Sequence, residues 1–125
     1  MNIARIQTEF SQARTYFEYL ELFPTTDGKL YVKVVLQPTS QHIYVAEINF
    51  PDSYPVEMPR VYIKTPMLDP SPHRYDAGNI CFLHPSMWNP GVHNLSFVIQ
   101  RTAKWLGKYE IWKQNRTWPG ASLRH

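Results

Sequence analysis

The chain has 125 residues, which is enough for one domain with a single hydrophobic core and too few for a second domain. Its only cysteine, Cys81, excludes an internal disulfide bond and a cysteine-based zinc site, so we expect a reducing, cytoplasmic compartment. The net charge of +3 is scattered and no apolar run approaches the roughly 18 residues that cross a bilayer, so we expect neither nucleic acid nor a membrane as partner.

The first predicted element is a helix over residues 3–13, because Ile3, Ile6 and Phe10 recur at spacings of three and four residues. Four segments rich in β-branched and aromatic residues follow, and turn residues such as Asp27-Gly28 separate them. They predict an antiparallel meander of four strands over residues 16–23, 29–37, 42–50 and 60–65. One face of such a sheet is apolar and must be buried against another secondary-structure element.

The cover is predicted late in the chain, where Asn94 is a suitable N-cap and core-type residues recur at helical spacing from Leu95 to Tyr109. We therefore expect one α+β domain over residues 1–118 and a C-terminal tail over residues 119–125. Between the meander and this long helix lies a proline-rich segment of about thirty residues, which is longer than compact domains usually keep unless it has a function.

Three motifs lie within and beside this segment: a Phe-Pro-x-x-Tyr-Pro-x-x-x-Pro run over residues 50–59, the turn Gly78-Asn79-Ile80-Cys81, and Trp88-Asn89-Pro90. They resemble motifs of the ubiquitin-conjugating enzyme (UBC) family. The family's run is matched at every fixed position, and its Gly-x-Ile-Cys turn and Trp-x-Pro motif are matched as well. The family's His-Pro-Asn tripeptide falls on Ser71-Pro72-His73, where only the proline is kept. Helix, meander, active-site loop and long helix also follow in the family's order.

The resemblance implies an acyltransferase with a cysteine nucleophile. Cys81 would accept the C-terminal carboxyl of a carried protein as a thioester and pass it to a target amine. His73 takes the register of the family's asparagine and would act as oxyanion donor or general base. The family's acidic residue that activates the incoming lysine falls near Glu110. No metal or cofactor is implied.

Three features resemble the prokaryotic branch of the family, which is found in antiphage signalling (CBASS) operons. They are the short chain, the histidine in the tripeptide and the closing Trp118-Pro119-Gly120. The carried partner would then be a ubiquitin-like protein or a CD-NTase-type nucleotidyltransferase, which makes cyclic nucleotides. A separate ATP-dependent activating enzyme would supply the activated carboxyl. Arg5 and Arg14 on or near the first helix are candidates for docking it, although a solvated face is the default interpretation.

Three alternatives stay open on the sequence. Most lone cysteines are small buried hydrophobic residues, so Cys81 has a purely structural interpretation. A non-catalytic UBC-like binding module would keep the fold and typically lose the cysteine, so the intact turn argues against it. A cysteine hydrolase that cleaves thioesters would use a nearby His and Asp, but we interpret His84, His93 and Asp76 as turn or surface residues.

Overall fold

The computed structural model describes residues 1–40 and 42–120, and it confirms the predicted α+β class and element order. A first helix is followed by a four-stranded antiparallel sheet and then by a long second helix. Neither helix in the described part of the chain is long and apolar enough to cross a membrane. Most of the tail expected over residues 119–125 lies outside the described residues.

Helix α1 spans Ile3–Ala13, as the apolar periodicity predicts. Asn2 caps it, because its side-chain oxygen accepts a hydrogen bond from the backbone N–H of Arg5 at 3.0 Å. The side chains of Ile6 and Ala13 are fully buried in the core. The same face also buries a carboxylate, that of Glu9, whose partners come from two distant segments.

The strands are β1 (Leu20–Pro24), β2 (Leu30–Leu36), β3 (Tyr44–Asn49) and β4 (Arg60–Thr65). The sheet has the order β1-β2-β3-β4, so each strand pairs with its neighbour in the chain. Side chains on alternate positions of β2 and β3 face the core, as the period of two predicts. Strand β1 starts later than residue 16, because the N–H groups of Tyr16 and Phe17 both bond to the carbonyl of Ala13 and form turns after the helix.

Helix α2 spans Leu95–Asn115 and buries one side in the same core as the inner face of the sheet. Asn94 caps it by accepting from the N–H of Phe97 at 2.9 Å. The helix ends at Arg116, whose left-handed backbone (φ 62°) turns the chain back along the helix. Trp118 consequently packs against Trp105, with ring centroids 5.3 Å apart.

The proline-rich segment between β4 and α2 is held to the sheet by a small hairpin. Arg74 and Ile80 form an antiparallel bridge, and the N–H of Ile80 donates to the carbonyl of Val61 at the start of β4. A short 3-10 helix, Pro85–Met87, follows the hairpin. The segment is therefore irregular, but its central part is fixed against strand β4.

Candidate active site

Cys81 ends the second arm of this hairpin, opposite His73. The backbone N–H of Cys81 donates to the carbonyl of His73 at 2.8 Å, and the N–H of Tyr75 donates to the carbonyl of Asn79 at 2.9 Å. Gly78 has φ +93°, in the region that side chains disfavour, which explains a glycine in the turn. The structure thus brings together the backbones of the two residues that the sequence assigns to catalysis.

The thiol of Cys81 has one hydrogen-bond partner, the hydroxyl of Tyr75, among the described residues. Its Sγ lies 3.0 Å from Tyr75 Oη, and the side chain is buried. Burial raises the pKa of Cys81, whereas the bond to Tyr75 acts in the opposite direction, since a hydroxyl that donates to sulfur stabilises the thiolate. Burial and the neighbouring sulfur raise the pKa of Tyr75 to about 12, so this hydroxyl stays protonated at neutral pH.

His73 is held by its backbone and its ring at once. Its carbonyl accepts both from Cys81 N–H and from Trp105 Nε1, the latter at 3.1 Å, and its backbone lies at φ 60°. Its imidazole packs on the indole of Trp118, with centroids 4.7 Å apart. Burial, and to a smaller extent the charge of Lys108, lowers the pKa of His73, which favours the neutral imidazole at neutral pH.

Helix α2 supports this hairpin from the core side. Arg101 Nε donates to the carbonyl of Phe82, the residue after the cysteine, at 3.1 Å. Together with the bond from Trp105 to His73, this attaches both arms of the hairpin to one rigid helix. The main chain on both sides of the thiol is therefore bonded to side chains of α2.

The other histidines close to Cys81 in the sequence have contacts of their own. His84 caps the 3-10 helix by accepting from the N–H of Ser86 at 3.2 Å. His93 Nδ1 accepts from the N–H of Asn89, and its ring stacks on Phe97 with centroids 4.1 Å apart. No group of three His, Cys, Asp or Glu side chains in the described ranges is arranged to hold a metal ion.

Glu110 bonds to the loop between β2 and β3. Its carboxylate accepts from Thr39 Oγ1 at 2.6 Å and lies 3.2 Å from His42 Nδ1, and the residue is buried. None of these contacts leads toward the hairpin that carries Cys81. Glu110 therefore fixes this loop. We do not assign to it the activation of the target amine.

Two site residues were not predicted from the sequence. Tyr75 contacts the thiol across the hairpin, and its only sequence signal is its place before the Asp76-Ala77-Gly78 turn. Trp118 ends the domain that the sequence predicts, and the structure places its indole against the ring of His73. No local pattern indicates this contact, because the return of the chain depends on where α2 ends.

The family comparison matches nearly the whole chain. A family model described as E2-CBASS, Type II CBASS E2 protein, matches residues 9–125. No curated protein sequence matches the chain.

Solved structures with similar folds include two ubiquitin-conjugating enzymes and a UEV domain. A ubiquitin-conjugating enzyme E2 from Plasmodium falciparum is 25% identical over 82% of this chain and 96% of its own, with a TM-score of 0.59. Human ubiquitin-conjugating enzyme E2 G1 is 18% identical, with coverages of 82% and 91% and a TM-score of 0.58. The Vps23 UEV, solved in complex with ubiquitin, is 23% identical, with coverages of 85% and 84% and a TM-score of 0.59.

Proposed function

The chain belongs to the E2-CBASS family of type II CBASS E2 proteins, and from this premise we propose that Cys81 carries an acyl group as a thioester. The carried group would be the C-terminal carboxyl of a ubiquitin-like protein or of a CD-NTase-type nucleotidyltransferase. Cys81 would then pass it to a target amine within the antiphage system. The observation that supports this role is the contact between the Cys81 thiol and Tyr75 Oη at 3.0 Å.

The Cys81 thiol donates to Tyr75 Oη in the structure, and the same hydroxyl can donate to the sulfur once the thiolate forms. This arrangement suits a cysteine that must alternate between thioester and thiolate. In the loading step, the Cys81 thiolate attacks the carbonyl carbon of an activated donor thioester, a new C–S bond forms, and the donor thiol leaves. Burial raises the pKa of Cys81. The Tyr75 hydroxyl acts in the opposite direction, because it can stabilise the thiolate when it attacks and when it leaves. A purely structural cysteine needs no such donor.

His73 is the proposed stabiliser of the oxyanion in both steps. Its neutral imidazole supplies an N–H donor, and because the lowered pKa of His73 leaves the ring unprotonated at neutral pH, the ring can also accept a proton. The carbonyl of His73 bonds directly to Cys81 N–H, so the two residues keep a fixed separation along the hairpin. Packing against Trp118 then restricts the ring.

The second candidate is a non-catalytic module that binds a ubiquitin-like partner. The fold similarity to the Vps23 UEV in complex with ubiquitin favours it. The third, a thioester hydrolase, would release the carried group to water rather than hold it. These candidates differ in whether a covalent adduct accumulates, which makes the adduct the decisive observable.

Intact mass spectrometry tests the proposal directly. Wild type and Cys81→Ser are purified after co-expression with the genomic neighbours of the gene, with and without thiol reductant. We expect a partner-sized, reductant-sensitive adduct on wild type and a reductant-resistant ester on the serine variant. Cys81→Ala serves as the matched control and should carry no adduct while keeping its thermal unfolding midpoint.

Three results would contradict this function. An adduct that persists on Cys81→Ala would place the acyl group on another residue. A partner that co-purifies without any adduct on wild type would favour the binding module. Release of unmodified partner during incubation, with no adduct trapped even on Cys81→Ser, would favour the hydrolase.

A further inference from the structure

A cavity of about 580 Å³ lies between α2, the loop after β2 and the segment that returns along the helix. Helix α2 contributes Lys104, Gly107, Lys108 and Ile111, and the returning segment contributes Pro119 and Gly120. A cavity of this size accommodates a small organic molecule. Cys81, Tyr75 and His73 are not among its lining residues, so the proposed function assigns no role to this space.

Two ammonium groups at this cavity have no anionic partner in the described part of the chain. Lys104 and Lys108 are one helical turn apart, so both side chains lie on one face of α2. Neither forms an ion pair with a described residue. Burial, followed by the positive charges of Lys104 and Arg101, lowers the pKa of Lys108. Like charges at this spacing destabilise a helix, and an anion bound between them would remove the repulsion.

The carboxylate among the lining residues, that of Glu110, is engaged elsewhere. Its oxygens accept from Thr39 Oγ1 at 2.6 Å and lie 3.2 Å from His42 Nδ1, and the residue is buried. Two ammonium groups against this one carboxylate leave the lining residues with a net positive charge. The cavity therefore favours an anionic occupant.

Gly107 leaves the backbone of α2 open to the cavity. A Cβ at this position would have no described atom within 4 Å, so no neighbouring group requires a glycine there. Glycine inside a helix is less stable than alanine. A glycine at this position is explained by an occupant that approaches the helix backbone closely, between the two lysines.

The segment that returns along α2 completes the cavity. A Cβ on Gly120 would lie 3.2 Å from Lys108 Nζ, so the ammonium lies closely over the backbone of Gly120. Ile111, which is 44% exposed, and Pro119 add apolar surface to the lining. Two cations beside apolar surface match a small molecule that has a phosphate group and an apolar part. A phosphate monoester carries up to two negative charges at neutral pH, whereas a carboxylate carries one.

We propose that this α2 cavity binds a nucleotide, with the phosphate between Lys104 and Lys108 and the base against Ile111 and Pro119. Gly107 lets the phosphate approach the helix backbone. The site does not depend on the proposed function, because its contacts include no atom of Cys81.

Binding at the α2 cavity would also act on the candidate active site. Burial and, to a smaller extent, the positive charge of Lys108 lower the pKa of His73. A phosphate bound to Lys108 offsets that charge, so the nucleotide raises the pKa of His73. The α2 cavity is thereby coupled to His73 through electrostatics.

A chemical-shift titration of the full chain, labelled with stable isotopes, tests the site. Adenosine monophosphate, adenosine and inorganic phosphate are added separately at an ionic strength of about 0.15 M, and the amides of Gly107 and Gly120 report on the cavity. We compare wild type with Lys104→Gln/Lys108→Gln. The matched control is Lys33→Gln/Lys64→Gln, which removes the same charge at exposed residues outside the cavity.

We expect adenosine monophosphate to shift both amides saturably, with a Kd on the order of 1 mM, and inorganic phosphate to bind several-fold more weakly. Adenosine should give no saturable shift. Lys104→Gln/Lys108→Gln should weaken binding about tenfold, whereas the control keeps the wild-type Kd. A wild type without saturable shifts, or an equal loss of affinity in the control, overturns the site. Equal affinities for inorganic phosphate and adenosine monophosphate overturn the nucleotide and assign the cavity to free phosphate.

Gly107→Ala separates binding from stability. Because the added Cβ meets no described atom, the melting temperature should rise by about 3 °C, while the affinity for adenosine monophosphate falls about threefold. A more stable variant with the wild-type affinity would overturn the close approach of the phosphate to the helix backbone.

The ring of His73 gives a second readout, which a nonspecific surface contact would not move. Saturation with adenosine monophosphate should raise the pKa of His73 by about 0.3 in wild type and leave it unchanged in Lys104→Gln/Lys108→Gln. An unchanged pKa of His73 in nucleotide-bound wild type overturns the coupling. All of these measurements use unloaded protein, so failure of the thioester role would leave their results unaffected.

Discussion

The carboxylate of Glu9 and the thiol of Cys81 are both buried, but their surroundings differ sharply. Glu9 accepts from Tyr54 Oη at 2.6 Å, from the N–H of Leu95 at 2.7 Å and from the Arg5 guanidinium. It thereby joins α1, the loop after β3 and the start of α2. Cys81 has Tyr75 as the partner of its side chain among the described residues.

The difference separates a side chain that joins three elements of the fold from one that has a single hydrogen-bond partner among the described residues. A buried carboxylate with three donors is stabilised in one arrangement. A buried thiol with one weak bond can still engage new partners. Arg5 belongs with Glu9, because it also bonds to the carbonyls of Pro90 and His93 rather than pointing to a partner protein.

Removing the Glu9 carboxylate should have the largest effect on stability. Glu9→Ala leaves the buried Tyr54 hydroxyl and Leu95 N–H without their acceptor, so we expect a loss of about 3–5 kcal/mol in the free energy of unfolding. Urea unfolding measures it. Tyr54→Phe, which removes one of the three bonds, should cost about 1 kcal/mol. A Glu9→Ala protein as stable as wild type would contradict the scaffold role.

Removing the His73 ring should affect transfer rather than stability. If its imidazole stabilises the oxyanion, His73→Ala should slow discharge of the Cys81 thioester about 100-fold. The rate is measured with hydroxylamine on chemically loaded protein, and the melting temperature checks the fold. A transfer rate equal to wild type would reduce His73 to a loop-packing residue.

Trp118 should act through His73. The tilted contact of the two rings at 4.7 Å predicts that Trp118→Leu slows transfer about tenfold by loosening the imidazole. The same substitution in the His73→Ala background should have little further effect, because its target is already missing. Additive losses in the double variant would show that Trp118 acts independently of His73.

The smallest expected effect is a change in the pH dependence of Cys81 alkylation. Burial raises the pKa of Cys81, so iodoacetamide should react with a midpoint above the ordinary thiol value of about 8.5. Tyr75→Phe removes the group that opposes this rise, so the midpoint should move higher and the rate at pH 8 should fall a few-fold. A midpoint that moves down would mean that Tyr75 does not donate to the thiolate.

Local patterns in the sequence determined the elements of this fold. The apolar period of three to four fixed α1 at Ile3–Ala13, and the period of two placed strands β2 to β4 within two residues of their bounds. The start of β1 was missed, because the N–H groups of Tyr16 and Phe17 bond back to Ala13, and this turn competes with strand pairing. The candidate site was also visible in the sequence, since Gly78 marks the turn that precedes Cys81.

The tertiary structure decided which side chains meet. Glu9 contacts a backbone group 86 residues away, and Trp105 contacts His73 over a separation of 32 residues. No periodicity encodes such contacts, because they depend on how α2 crosses the sheet and on where the chain turns back at Arg116. The sequence by itself therefore indicated the family, which the family comparison confirms, and Cys81 as the candidate nucleophile. The hydroxyl partner of the Cys81 thiol, the contact of Trp118 with His73 and the cavity beside Lys104 and Lys108 follow from packing alone.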